Sequence, residues 1–172
     1  PTSYIPTTSA AVTRSADLPT ISGTDFSSWF NATEGTFVAT WDIATFISGE
    51  TPAILSVHDN TANNAIYINA LGSGPNPRAE VISGGVSQAT LNAAATSNGT
   101  TVTSVFSYKA NDFALSAQGA AEVTDTSGSV PVVDRLHIGS VQGLSNFVNG
   151  HVSRIFYYQT QLTSALRRGL SA

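Results

Sequence analysis

Apolar residues recur at every second position in this chain, in short runs broken by Gly, Pro, Asn and Asp. Over 36–43 (TFVATWDI), Phe37, Ala39 and Trp41 alternate with Thr36, Thr40 and Asp42. Over 64–71 (NAIYINAL), Ile66 and Ile68 alternate with Tyr67 and Asn69. Over 101–109 (TVTSVFSYK), Val102, Ser104, Phe106 and Tyr108 share one side. Further runs cover 53–58, 79–82, 113–117, 135–139 and 151–159. A period of two sends alternate side chains to opposite faces of a strand, one to the core and one to water, as antiparallel sheets require. Closely spaced runs of this kind predict an all-β sandwich or barrel.

The segments between the runs have turn chemistry. The polar stretch 59–64 (DNTANN) reads as a hairpin loop, Ser97-Asn98-Gly99 as a tight turn, and 124–131 (TDTSGSVP) as a loop. One helix is predicted, over 164–170. Thr163 can cap it, and Arg167 and Arg168 stand late in it, where cations suit the dipole. Trp29 and Phe30 are expected to cover one end of the core, and Gly150 to permit a tight turn.

Strands like these usually carry charge on their wet face, and here they carry little. Charged residues are 10% of 172, against about 25% in an ordinary soluble domain. In their place stand 22 serines and 21 threonines. Thr favours strands, so hydroxyl-covered outer faces are expected. Lys109 is the one lysine and the net charge is −4, which excludes a phosphate-tracking nucleic-acid binder. The absence of Cys excludes disulfides, a thiol nucleophile and Cys-held metal. At 41% hydrophobic residues the chain is not disordered, and its length suits one domain. No run approaches the ~18–20 apolar residues of a membrane span, so no membrane insertion is expected. The start, Pro1-Thr2-Ser3, has neither the basic nor the apolar part of a signal peptide, and reads as the beginning of a piece cut from a longer chain.

Most catalytic constellations are missing. Gly139-Ser140-Val141-Gln142-Gly143 lacks the serine of a nucleophile elbow at its centre, and Gly72-Ser73-Gly74-Pro75 is a turn rather than a phosphate cradle. A glycosidase needs two carboxylates flanking the scissile bond. Of Glu34, Glu50, Glu80 and Glu122, only Glu122 has an acidic neighbour at short range, Asp125, at the edge of a turn. A lyase could draw on Arg78, His58, His137 and Tyr67, without a matching strand motif. His137 and His151 could approach each other but lack a third zinc ligand. Asp59, Asn60, Asn63 and Asn64 offer oxygens to calcium, although the loop reads first as a polar hairpin connection. No cofactor is therefore expected.

The binding chemistry that the residues do support lies on one strand face. If Ile66 and Ile68 point inward, Tyr67 and Asn69 point outward. Arg78 and Glu80 alternate with Ala79 and Val81 and face the same way, and His58 and Asp59 end a neighbouring run. An exposed aromatic ring beside amide, carboxylate and guanidinium groups offers a sugar a flat platform and directional hydrogen bonds. His58, Asp59, Tyr67, Asn69, Arg78 and Glu80 are the candidate site residues. An ordinary solvated sheet face is the plain alternative.

Several phrases, in order, resemble a segment of bacteriophage tail-fibre proteins. Thr2-Ser3-Tyr4-Ile5-Pro6-Thr7 with Ala11-Val12-Thr13-Arg14-Ser15-Ala16-Asp17 resembles a lead-in to a C-terminal laminin-G-like (concanavalin A-like) domain. Phe26-Ser27-Ser28-Trp29-Phe30-Asn31 and Asn149-Gly150-His151-Val152-Ser153-Arg154-Ile155 are similar to that domain's opening and closing. The resemblance implies a jelly-roll sandwich of two antiparallel sheets with a short C-terminal helix. It divides the chain into a lead-in at 1–22 and a domain at 23–172. It also implies a place on a virion tail and non-catalytic recognition of host cell-surface polysaccharide, with other fibre subunits as partners, in a homotrimer. The alternatives it leaves open are a structural or trimerising terminal domain and a polysaccharide depolymerase.

Overall fold

The computed structural model describes residues 18–71 and 74–172. The lead-in phrases up to Asp17, and the turn at Gly72-Ser73, lie outside the described residues. The elements run β1 Thr20–Ser22, α1 Thr24–Ser27, β2 Glu34–Ile43, β3 Ala53–His58, β4 Ala65–Leu71, β5 Asn76–Ser83 and β6 Val86–Asn92. They continue with β7 Val102–Lys109, β8 Asp112–Ala117, β9 Val123–Asp125, β10 Arg135–Ile138, β11 Gly150–Tyr158 and α2 Ser164–Ser171. A six-stranded sheet has the order β1-β10-β3-β4-β5-β6, and a five-stranded sheet the order β11-β2-β7-β8-β9. Every pairing in both is antiparallel. The fold is the antiparallel sandwich expected from the alternation, with the jelly-roll form that the resemblance implies and a short C-terminal helix.

The alternation places the core. Leu55, Val57, Ile66, Ile68, Val81 and Leu91 of one sheet meet Phe37, Trp41, Phe106, Phe113 and Leu115 of the other, all at most 1% exposed. Each such side chain contributes about 1.5–3 kcal/mol by leaving water. Trp41 satisfies its buried indole N–H by donating to Ser104 Oγ at 3.1 Å, diagonally across β2 and β7. At one end, Phe26, Trp29 and Phe30 pack edge-on and stacked with Tyr108 and Tyr157, as expected for a lid on the core. Three donors close a ring there. Asn31 N–H donates to Tyr157 Oη (3.0 Å), the two tyrosine hydroxyls are 2.7 Å apart, and Tyr108 Oη donates to Asn31 C=O (2.6 Å). Gly35 makes room for this ring, since a Cβ there would lie 2.5 Å from Tyr157 Oη.

Four strands go beyond the sequence reading. β6 was hidden because Ser, Gln, Ala and Asn are weak strand formers; only Ala89 and Leu91 reach the core. β5 starts at Asn76, three residues before the expected run, with Pro77 near its start where a proline is tolerated. β1 falls within the 1–22 lead-in and pairs with β10, and β9 takes in Thr124 and Asp125 from a stretch read as loop.

The expected hydroxyl-covered wet face is only partly present. Thr36, Ser56, Ser107 and Ser116 lie on outer faces yet are 0% exposed. A second layer covers them. Thr36 Oγ1 donates to Thr160 C=O (2.9 Å) and accepts from Leu162 N–H (3.0 Å), while Ser107 Oγ lies 2.8 Å away. Ser116 Oγ meets Ser171 Oγ of α2 at 2.9 Å. Thr163 precedes α2 in an extended conformation, but its side chain makes no cap bond. Arg167 does not serve the helix dipole from solvent. It is buried, and its Nε and Nη2 grip Glu122 at 2.6 and 2.9 Å, a bidentate pair that pins α2 to the five-stranded sheet. That engagement also removes Glu122 from any carboxylate pair with Asp125.

Gly150 is required by close approach rather than by a turn. It opens β11 against β2, and a Cβ there would run into the carbonyl oxygen of Asp42. Gly150→Ala is therefore expected to cost about 2–3 kcal/mol, read by urea denaturation. Arg167→Met should cost about 3 kcal/mol by stranding Glu122, and Glu122→Leu added to it should return most of that loss, in a double-mutant cycle.

Candidate functional site

The outer face of the six-stranded sheet carries most of the expected residues in two neighbouring rows. One row, across five strands, is His137, Ser56, Tyr67, Glu80 and Thr90. The next places Asn69 opposite Arg78, and Arg78 opposite Asn92. Tyr67, Asn69, Arg78 and Glu80 are thus brought together by the register alone. Arg78 Nη2 and Glu80 Oε1 form an ion pair at 2.8 Å, with side chains 14% and 20% exposed.

The expected open platform is not what forms. Tyr67 is 6% and Asn69 4% exposed, although both point away from the core. One wall comes from the chain after β10. Gly139 N–H donates to Ile54 C=O (3.0 Å), Ala53 N–H donates to Asn146 C=O (2.9 Å), and Ser56 Oγ donates to Ser140 C=O (2.8 Å). These bonds lay the tight turn Val141–Ser145 beside β3, on the outer side of the sheet. The strip that holds Tyr67 and Asn69, with that turn along one side, is the trough. Burial and the nearby Glu80 carboxylate push the Tyr67 hydroxyl above its ordinary range, so it stays a neutral donor and acceptor.

His58 and Asp59 play other parts. His58 is on the same face but fully buried, and its Nε2 lies 2.7 Å from His137 Nδ1, with the rings parallel to within 6°. Asn60 N–H donates to His58 Nδ1 (2.9 Å), which fixes the neutral tautomer. His58 then donates from Nε2, and His137 carries its own proton on Nε2. Burial, with His137 and Arg135 close by, drives His58 down to about 4, and burial with Arg135 lowers His137. Asp59 lies past the strand end and closes the loop. Its carboxylate accepts from Thr61 N–H (2.9 Å), Thr61 Oγ1 (2.6 Å) and Asn64 Nδ2 (2.9 Å). Those oxygens are committed to the loop's own donors. His151 sits on the other sheet, 3.2 Å from Asp42, so it cannot join His137 at a metal. Among the described residues no three His, Cys, Asp or Glu side chains gather as a metal site.

Buried polar atoms distinguish this face further. Asn69 Oδ1 and Arg78 Nε are buried without a hydrogen-bond partner, and so is Gln142 Nε2 in the turn that forms the wall. Such atoms cost about 1–3 kcal/mol each when nothing meets them. Sequence reasoning found Asn69 and Arg78 but missed Gln142 and His137 as parts of this face. Gln142 stands in a stretch without period, and its proximity depends on the chain doubling back. A second recess, about 480 Å³, is lined by Phe26, Phe30, Val133 and Asp134 at the end of the sandwich. It is mostly apolar, with Thr24 and Ser27 as its hydroxyl-bearing residues, and its one carboxylate is taken by Arg135 at 2.7 Å.

No protein-family model matches this chain, and no curated protein matches it. Solved structures share its fold. The CBM40 of Ruminococcus gnavus IT-sialidase, bound to α2,3-sialyllactose, superposes with a TM-score of 0.68 at 18% identity, over 83% of this chain and 84% of that one. Domains LG4-5 of the mouse laminin α1 chain give 0.62 at 11%, over 84% of this chain and 40% of theirs. A heptameric pentraxin of Limulus polyphemus gives 0.61 at 12%, over 90% and 72%. The architecture is therefore that of the laminin-G-like, concanavalin A-like sandwiches.

The histidine pair makes the trough's edge acid-sensitive. The folded His58 binds its proton only near pH 4, whereas the unfolded one does so near 6.5, so unfolding takes up protons between these values and stability falls as pH drops through them. Melting temperatures should decline from about pH 6.5 to about pH 4, and His58→Gln should flatten that decline.

Proposed function

We propose that this domain binds carbohydrate without catalysis, through the trough on the outer face of the six-stranded sheet. One observation carries the reading: Tyr67, Asn69, Arg78 and Glu80 converge there and leave buried polar atoms unmatched. Protein ligands of other kinds would meet little charge to pair with and no large apolar floor. A sugar offers hydroxyls for those atoms, and the neutral Tyr67 hydroxyl can both donate to and accept from one. Glu80 is tied to Arg78 and stands between Tyr67 and Thr90, so among the described residues it faces no second carboxylate of the kind that glycoside hydrolysis uses. The sialidase module that shares the fold was solved with a sialylated glycan, which supports a sugar as the class of ligand.

The fuller reading adds the setting. The domain is the receptor-recognising part of a phage tail fibre, displayed on the virion tail and directed at host cell-surface polysaccharide. It binds without a metal cofactor. The sequence phrases support that setting. A second role in fibre assembly draws on β11, an edge strand whose Phe156 and Tyr158 stand 53% and 38% exposed, as contacts to further copies in a homotrimer.

A glycan array probed with the isolated domain tests the binding. Binding should survive EDTA and should drop at least about tenfold in Thr90→Arg, which places a bulky side chain at an exposed position beside Glu80. Failure to bind any glycan, or full binding by Thr90→Arg, would overturn the reading.

A further inference from the structure

We propose that Asn69 and Arg78 together read one neutral sugar hydroxyl and turn away a carboxylate. The inference rests on the carbohydrate reading above and names what kind of sugar the trough takes.

The two residues face each other directly across β4 and β5. Asn69 Oδ1 is an acceptor with nothing to accept from, and Arg78 Nε–H is a donor with nothing to receive it. Both are withdrawn from bulk water, and Asn69 as a whole is 4% exposed. An unmet acceptor beside an unmet donor defines its complement. A hydroxyl is the common sugar group that gives a proton and takes one at a single oxygen. Set between the two residues, it donates to Asn69 Oδ1 and accepts from Arg78 Nε–H.

A carboxylate fits the same place badly. It cannot donate to Asn69 Oδ1 and would set two acceptors against each other. The guanidinium charge is also already answered, because Arg78 Nη2 holds Glu80 Oε1 at 2.8 Å. No other free cation stands on this sheet among the described residues. Arg135 holds Asp134 at 2.7 Å, and His58 and His137 are kept neutral by burial. An acidic sugar would bring its negative charge to Glu80 without a cation of its own. The trough therefore differs in preference from the sialyllactose-bound module whose fold it shares.

The experiment is one array carrying neutral hexose- and N-acetylhexosamine-terminated oligosaccharides beside sialylated ones, followed by titration. Neutral glycans should bind, and 3′-sialyllactose should bind no better than lactose. For the tightest neutral ligand, one monodeoxy analogue should lose at least about tenfold in affinity. Asn69→Leu should lose affinity to a similar degree while its melting temperature holds or rises, because the variant removes an unmatched buried acceptor. A merely structural Asn69 would move both quantities down together. Binding confined to sialylated or other acidic glycans, still blocked by Thr90→Arg, would overturn this inference and leave the carbohydrate reading standing. Neutral binding indifferent to Asn69→Leu would overturn it as well. No glycan binding at all would remove both.

Discussion

The β3–β4 part of the six-stranded sheet is buried on both faces, and that constraint governs what is built on it. Its inner face meets the second sheet through Ile66, Ile68, Val57 and Val81. Its outer face, at β3 and β4, holds Ala53, Ser56, His58, Tyr67 and Asn69, each at 6% exposure or less. A sheet covered on one side only can leave polar side chains to water. A sheet covered twice must match each of them with a partner, because an unmatched polar atom under cover costs free energy that hydration no longer supplies. Ser56 meets the Ser140 carbonyl, His58 meets His137 and the Asn60 amide. Asn69 Oδ1 and Arg78 Nε meet nothing, and so the same rule that explains the fold marks the place where the protein departs from it.

On the other sheet the buried outer hydroxyls of Thr36, Ser107 and Ser116 are all matched. Its outer hydroxyls engage α2 and the segment leading into it, and the bidentate Arg167–Glu122 pair closes the contact. The aromatic end is equally settled, with the Asn31 peptide and two tyrosine hydroxyls exchanging their protons among themselves. Against these saturated regions the trough stands out by contrast. A glycan-binding face needs polar atoms held in place and left unspent, and rigid strands on both sides of Asn69 and Arg78 hold them.

Much of this was legible in the chain. Strict alternation at 64–71 gave Ile66 and Ile68 to the core and Tyr67 and Asn69 to the other face, and the period in β5 did the same for Arg78 and Glu80. What alternation cannot express is a third layer. The period says which way Tyr67 points; it does not say that residues after β10 fold back along β3, since that cover is set by contacts about eighty positions apart, such as Ser56 to Ser140. The histidine pair was invisible for the same reason: His58 and His137 meet only because β10 inserts between β1 and β3. β6 was missed from the opposite cause. Its residues carry little strand preference of their own and are held there by their neighbours.

The hydroxyl contacts between α2 and the five-stranded sheet have a consequence for the medium in which the protein works. Serine and threonine bonds carry no net charge, and the one ion pair among them is shielded, with side chains 9% and 10% exposed. Dissolved ions weaken contacts between exposed charges over about 8–10 Å, but they have little to act on here. The helix should stay seated from dilute buffer to brine, and the agents that lift it are those that compete for hydrogen bonds.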